Sequence, residues 1–140
     1  MSTGSGAPVR ASAEVVTAFY EAFNRRDVDA AVEFLDPRFE WRPAFGRALM
    51  GDNVYHGRSG FNAYYRDISE AFADYRVDVD RIEQLEDDVV LVHGSASATG
   101  RTSEVSIARR FVIRYEVVDG LIVYGQTFTG RAQAAAPRLR

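Results

Sequence analysis

Residues 103–128 read SEVSIARRFVIRYEVVDGLIVYGQTF. Two runs with a period of two flank Asp119-Gly120, a dipeptide that suits the positive-φ positions of a tight β-hairpin, so the stretch predicts two long antiparallel strands. In the first run Val105, Ile107, Arg109, Phe111, Ile113, Tyr115 and Val117 share one face, and Ser106, Arg110, Arg114 and Glu116 share the other. In the second, Ile122, Tyr124, Gln126 and Phe128 fall opposite Val123, Gly125, Thr127 and Thr129. The same period reaches back to Tyr75, Val77 and Val79, which alternate with Arg76, Asp78 and Asp80, while Glu86-Asp87-Asp88 and Gly100 supply turn chemistry between strands. The second half of the chain is therefore expected to be an antiparallel meander.

Upstream of Tyr75 the period changes to that of helices. Val15, Val16, Phe19, Tyr20 and Phe23 make one apolar stripe behind Ser12, the expected N-cap, and the helix should stop near Asn24. Asp27 is expected to cap a short second helix carrying Val28, Ala31, Val32 and Leu35, ended by Asp36-Pro37. Phe39 to Pro43 reads as a short strand, followed by a loop through Gly46, Gly51 and Gly57. A third helix is expected from about Ser59 to Ala73, with Phe61, Tyr64, Tyr65, Ile68 and Phe72 at helical spacing. Helices first and a long-stranded sheet afterwards predict an α+β domain with helices covering one sheet face.

Composition narrows the function classes. The chain has 140 residues, 46% hydrophobic and 12% aromatic, which is enough for one core with an internal pocket. There is no cysteine, which excludes thiolate metal sites and cysteine nucleophiles. The 20 acidic residues outnumber 17 basic ones, all of them arginine, so the charge balance speaks against a nucleic-acid partner. No apolar run approaches the roughly 20 residues that span a bilayer, and Met1 to Ala11 lacks the apolar core of a secretory signal. A cytoplasmic domain over 12–134 is expected, between flexible tails at 1–11 and 135–140. No phosphate-cradling glycine loop or dinucleotide fingerprint is present, and no cofactor is expected.

Val15-Val16, Phe19-Tyr20 and Phe23-Asn24 lead to Asp27, then Asp36-Pro37, Phe39-Glu40-Trp41 and Tyr55-His56-Gly57 precede the third helix. Phe72 with Tyr75-Arg76, the Asp119-Gly120 hairpin and Arg131-Ala132-Gln133-Ala134 complete the series. In this order and spacing the chain resembles the SnoaL-like branch of the nuclear transport factor 2-like (NTF2-like) superfamily over residues 12–134. The resemblance implies a cone in which three N-terminal helices and a curved, mostly antiparallel sheet enclose a blind, mostly apolar pocket. It also implies pairing into homodimers through the sheet. Its members include ketosteroid isomerase, polyketide cyclases, limonene epoxide hydrolase, dehydratases and non-catalytic binding proteins, and fold alone does not choose among them.

The resemblance also shows departures. Arg42 stands where ketosteroid isomerase has its general-base Asp, Phe19 where it has its oxyanion-binding Tyr, and Phe111 roughly where it has its second acid. Phe128-Thr129-Gly130 replaces the Tyr-x-Asp that related sequences often carry. Steroid isomerisation by that mechanism is not expected.

The remaining candidates follow from the residues. Arg109, alternating with apolar neighbours, is expected to face inward, either to bind a ligand oxygen or, on the plainer reading, to be displaced by a β-bulge or paired with a carboxylate at the pocket mouth. His93, within Val89-Val90-Leu91-Val92-His93, is a candidate base or a hydrogen-bonded wall residue. Arg109 and His93 are thus the candidate catalytic pair. His56 is a pocket-rim candidate or a turn residue. Tyr20, Trp41, Tyr64, Phe111, Ile113, Tyr124, Gln126 and Phe128 are the expected ligand-binding residues, and Tyr65 and Tyr115 add to an aromatic lining whose plainer role is core packing. Two separated histidines with no carboxylate at ligand spacing argue against a metal site. The expected ligand is small and apolar with a carbonyl, hydroxyl or carboxylate. It is taken up either by a cofactor-free isomerase, cyclase or hydratase or by a non-catalytic dimeric scaffold or storage module.

Overall fold

Asp119 and Gly120 take φ values of 53° and 80°, the pair of positive angles that a two-residue hairpin turn requires. The turn joins β5 (Ser106–Val118) to β6 (Leu121–Phe128) in the computed structural model, which describes residues 11–43, 54–102 and 106–138. Gly46, Gly51 and Val105, and most of the expected tails, lie outside the described residues. The remaining elements, in chain order, are α1 (Ser12–Asn24), α2 (Val28–Val32), β1 (Leu35–Arg42), β2 (Tyr55–His56), α3 (Gly57–Ala71), β3 (Arg76–Glu86), β4 (Val89–Thr99) and, after β6, α4 (Arg131–Ala135). The six strands form one sheet in the order β2-β1-β6-β5-β4-β3. The meander β3 to β6 is antiparallel as expected, and β1 joins it parallel to β6.

Local chemistry explains most boundaries. Asp27 caps α2 by accepting from the Ala30 amide at 3.1 Å. Ser12 is the first helical residue rather than a cap, and its buried hydroxyl donates to the Asp87 carbonyl at 2.7 Å, tying α1 to the β3–β4 turn. The second helix is shorter than its apolar spacing predicts. Leu35 already belongs to β1, opposite Ile122, because burial against the sheet outweighs its place on the helical stripe. Val15, Val16, Leu35, Phe39, Val90, Val92 and Ile122 sit in the core with at most 1% of their surface exposed, each contributing roughly 1.5–3 kcal/mol.

Both faces of the sheet are covered along β5 from Phe111 to Val117, which is why that run is buried without alternation. Ala96, Phe111, Ile113 and Tyr115 face the helices on the concave side. On the convex side Leu91, Val112 and Phe128 pack against Ala134 and Ala135 of α4. Arg114 and Glu116 are buried there too, only 5% and 6% exposed. Arg114 donates to Glu116 at 3.0 Å and to the carbonyls of Ala134 and Ala136 at 3.0 and 3.1 Å. Arg138 grips Glu116 through both oxygens at 2.9 and 2.8 Å and lays its guanidinium 3.7 Å from the centre of the Tyr124 ring. Residues 136 and 138, expected to lie in a tail, are thus held against the sheet.

One irregularity changes which side chains face inward. Val117 pairs with Ile122 but Glu116 pairs with Tyr124, so β6 carries one extra residue at this point. The bulge keeps Ile122 on the concave side and turns Tyr124, Gln126 and Phe128 to the convex side, contrary to the single face that plain alternation predicts. Gly125 and Thr127 face the interior in their place, paired with Tyr115 and Ile113.

Candidate functional site

The concave side holds a cavity of about 40 Å³, lined by Phe19, Tyr20, Phe23, Phe39, Trp41, Pro43, Phe61, Tyr64, Tyr75, Val77, Ala96, Phe111, Ile113, Tyr115 and Thr127. The stripe of α1 brings Phe19, Tyr20 and Phe23, α3 brings Phe61 and Tyr64, and β1 brings Phe39 and Trp41. The aromatic rings meet mainly edge to face: Phe19 against Phe61 at 5.5 Å, Trp41 against Tyr64 at 5.6 Å, and Phe23 against Tyr75 at 6.1 Å between centroids.

Four tyrosine hydroxyls enter this apolar shell in two pairs. Tyr20 and Tyr115 oxygens are 2.5 Å apart, and those of Tyr64 and Tyr75 are 3.4 Å apart. Burial, then the neighbouring Tyr115, pushes the Tyr20 hydroxyl well above the usual phenol range. Burial, then Tyr75, does the same to Tyr64, and burial is also the main cause of the upward shifts at Tyr75 and Tyr115. These hydroxyls are therefore protonated at any physiological pH and serve as neutral donors. No Asp, Glu, His or Arg stands among the described lining residues.

Trp41 adds a donor of another kind. It is 6% exposed, and its indole Nε1 is fully buried and makes no hydrogen bond of regular geometry. Hydrogen bonding from the Trp41 N–H lowers the Tyr64 hydroxyl against the larger effect of its burial, at a geometry looser than a regular hydrogen bond. On the opposite edge of the indole, Cε3 and Cζ3 rest over Gly125, where an added Cβ would lie 2.8 and 3.0 Å from them and 2.9 Å from Cε1 of Tyr115. Only glycine lets Trp41 and Tyr115 settle, nearly parallel at 4°, onto β6.

Of the residues singled out from sequence, Tyr20, Trp41, Tyr64, Phe111 and Ile113 come together around this cavity, and Tyr115 joins them. The others do not. Arg109 lies opposite Ala96 on the concave side, with unbroken β4–β5 register, but it is exposed and has no ion pair among the described residues. The covered part of β5 begins at Phe111, two residues on, so Arg109 is not buried, and among the described residues neither a bulge nor a carboxylate partner is found there. His93 faces the convex side opposite Val112, where Nε2 lies 2.9 Å from Glu83 and 3.2 Å from the Arg81 guanidinium. It is a hydrogen-bonded wall residue remote from the cavity lining. His56 is exposed as the last residue of β2, paired with Glu40 in extended conformation just before α3, so it is a strand-end residue rather than a turn residue and is not among the lining residues. Tyr124 donates to Gln126 on the convex side, and Phe128 packs on α4, both consequences of the bulge. Sequence reading missed Phe19, Phe23, Phe61 and Tyr75 as lining residues. Their helical or strand spacing signals burial, but it does not separate a packed core from a cavity wall.

Among the described residues no cluster of three His, Asp or Glu side chains is arranged to hold a metal ion, and no helix is long and apolar enough to cross a membrane. The SnoaL-like domain family matches residues 16–125. Among solved structures, an NTF2-like protein from Burkholderia thailandensis E264 is 26% identical, with a TM-score of 0.78 over 92% of this chain and 100% of that one. An NTF2-like protein of unknown function from Burkholderia pseudomallei K96243 is 24% identical, with a TM-score of 0.74 over 86% of this chain and 91% of that one. A putative polyketide cyclase from Xanthomonas campestris pv. campestris is 21% identical, with a TM-score of 0.67 over 87% and 91% of the two chains. No curated protein matches the chain.

Proposed function

The chain belongs to the SnoaL-like domain family, and from that membership and the cavity we propose that it binds a small, apolar, oxygen-bearing molecule between its helices and the concave face of the sheet. The observation that carries this reading is a shell of aromatic side chains that holds two pairs of tyrosine hydroxyls as neutral polar groups. Such a combination, apolar walls with a few placed polar groups, is what fixes the orientation of a small ligand.

Binding is favoured over proton-transfer chemistry in this cavity. A base must come within hydrogen-bond reach of the proton it removes, and His93, the candidate base, is committed to Glu83 on the far side of the sheet. Arg109 does not enter the lining. The scaffold reading draws on pairing through the sheet, but α4 and the Arg114–Glu116–Arg138 cluster already occupy much of the convex face.

Calorimetric titration of the protein with small ketones tests the proposal, alongside an Ala96→Leu variant that fills the cavity from β4. Saturable binding by the wild type that the variant abolishes is the expected result. Equal heats from both proteins would place any binding elsewhere and overturn it.

A further inference from the structure

Helix α1 runs beside β3 and is fastened to that side of the sheet at both ends. At one end the Ala13 amide donates to the Gln84 side chain at 3.3 Å, and Ser12 donates to the Asp87 carbonyl just beyond the strand. At the other end the Asn24 side chain donates to the Val77 carbonyl at 2.9 Å and accepts from the Val77 amide at 3.3 Å. Between these fastenings no hydrogen bond or ion pair joins α1 to β3 among the described residues. A groove of about 300 Å³ opens there, bounded by Thr17 and Glu21 of α1 and by Val79 and Ile82 of β3. Tyr20 and Val77 line both this groove and the cavity, so two side chains, 6% and 5% exposed, stand between them.

The strand is the side of this seam that can yield. β3 ends the sheet and pairs with β4 alone among the described strands, and a register shift at Asp80 already interrupts that ladder beside the groove. Such an edge opens at a lower free energy than strands held on both sides. We propose that a ligand enters and leaves the cavity through the seam between α1 and β3, with Tyr20 as the closing side chain and the Asn24–Val77 bonds setting how readily it opens. The inference rests on the binding reading above and adds to it the route. Opening breaks the Tyr20–Tyr115 link and the two Asn24 bonds, and no covalent bond changes. Neither Asn24 nor Glu21 lines the cavity. A change at either therefore alters the barrier alone, and uptake and release shift by the same factor.

Xenon is the probe, because an apolar cavity takes it without hydrogen bonds and its rates report passage alone. Xenon NMR on the full-length protein gives both exchange rates, and loss of the bound signal in Ala96→Leu assigns it to the cavity. Asn24→Ala is expected to speed uptake and release about fivefold, as for the loss of one hydrogen bond, with affinity unchanged. The chain has no cysteine, so Glu21→Cys carries a single thiol, at an exposed position on the groove, that a benzyl disulfide reagent can occupy. The adduct is expected to slow both rates by about tenfold or more, and a reductant to restore them. Rates that neither Asn24→Ala nor the adduct alters would overturn the seam as the route and leave the cavity as a binding site entered elsewhere. An adduct that weakens affinity while release stays unchanged would overturn it as well, by placing the xenon in the groove itself. Absence of xenon binding to the wild type would remove the cavity reading, and the route with it. Should Asn24→Ala fold poorly, the reversible adduct decides the matter alone.

Discussion

The hydroxyl oxygens of Tyr20 and Tyr115 meet 2.5 Å apart inside the protein although the two residues are 95 positions apart in the chain. The contact joins the inner stripe of α1 to the middle of the sheet and places a polar link within the aromatic shell. Removing one hydroxyl leaves the other buried and partnerless, whereas removing both leaves two compatible apolar rings. Tyr20→Phe and Tyr115→Phe are each expected to cost about 1–3 kcal/mol in denaturant unfolding. The double variant is expected to cost clearly less than the sum of the two, and strict additivity would show that the pair is not a coupled unit.

Gly125→Ala is expected to destabilise by about 1–3 kcal/mol, the usual range for overpacking a well-fitted interior. The new methyl meets Trp41 and Tyr115 at under 3.0 Å, and both rings must move toward the cavity. A change in Trp41 fluorescence and loss of ketone binding should accompany the lost stability. An unaltered emission spectrum would mean that the indole does not rest on this glycine.

The convex ion cluster predicts a different scale. Burial alone would raise the Glu116 carboxyl, but hydrogen bonds from Arg138 and then Arg114 outweigh it and hold the group below the usual carboxylate range. Glu116→Ala leaves Arg114 buried without its charge partner and releases Arg138, so a loss of about 3–5 kcal/mol is expected. Increased amide exchange in residues 131–138 should mark the release. A loss under about 1 kcal/mol, the range of exposed pairs, would contradict the burial of this cluster.

Glu83 predicts a pH dependence. Hydrogen bonds from Arg131 and then His93 lower its carboxyl from 4.5 to about 2. A depressed folded-state value means the stabilisation is fully present above pH 4.5 and is lost as pH falls toward 2. Unfolding curves of the wild type should therefore lose stability through that window, and Glu83→Gln should flatten this limb. An identical acid limb in the variant would assign the dependence to other carboxylates.

Arg109→Leu is expected to change unfolding free energy by no more than about 0.5 kcal/mol, as befits an exposed side chain without an ion pair among the described residues. A large gain in stability would instead indicate a buried, uncompensated guanidinium.

The particular residues show what can be read from the chain and what cannot. Asp119-Gly120, the capping Asp27 and the stripe Val15, Phe19, Phe23 carry local signals, and the hairpin, the second helix and the first helix follow from them. Tyr20, Trp41, Tyr64, Phe111 and Ile113 lie on faces that local periodicity assigns, and they reach the cavity as expected. Tyr124, Gln126 and Phe128 do not, because one extra residue in β6 inverts them, and a bulge without a glycine or proline signature leaves no mark in an alternating pattern. For Arg109 the face was legible, but how far the helices extend over β5 is a tertiary property. The pairing of the four tyrosine hydroxyls was likewise out of reach, since it depends on how α1, α3 and the sheet pack together.

Native mass spectrometry of the protein drawn from the cells that make it bears most directly on whether the concave cavity is a binding site. The account predicts a retained small, apolar, oxygen-bearing molecule, released when the chain unfolds and absent from Ala96→Leu prepared the same way. A bare chain mass from wild type and variant alike, with no uptake of added ketone by either, would contradict it.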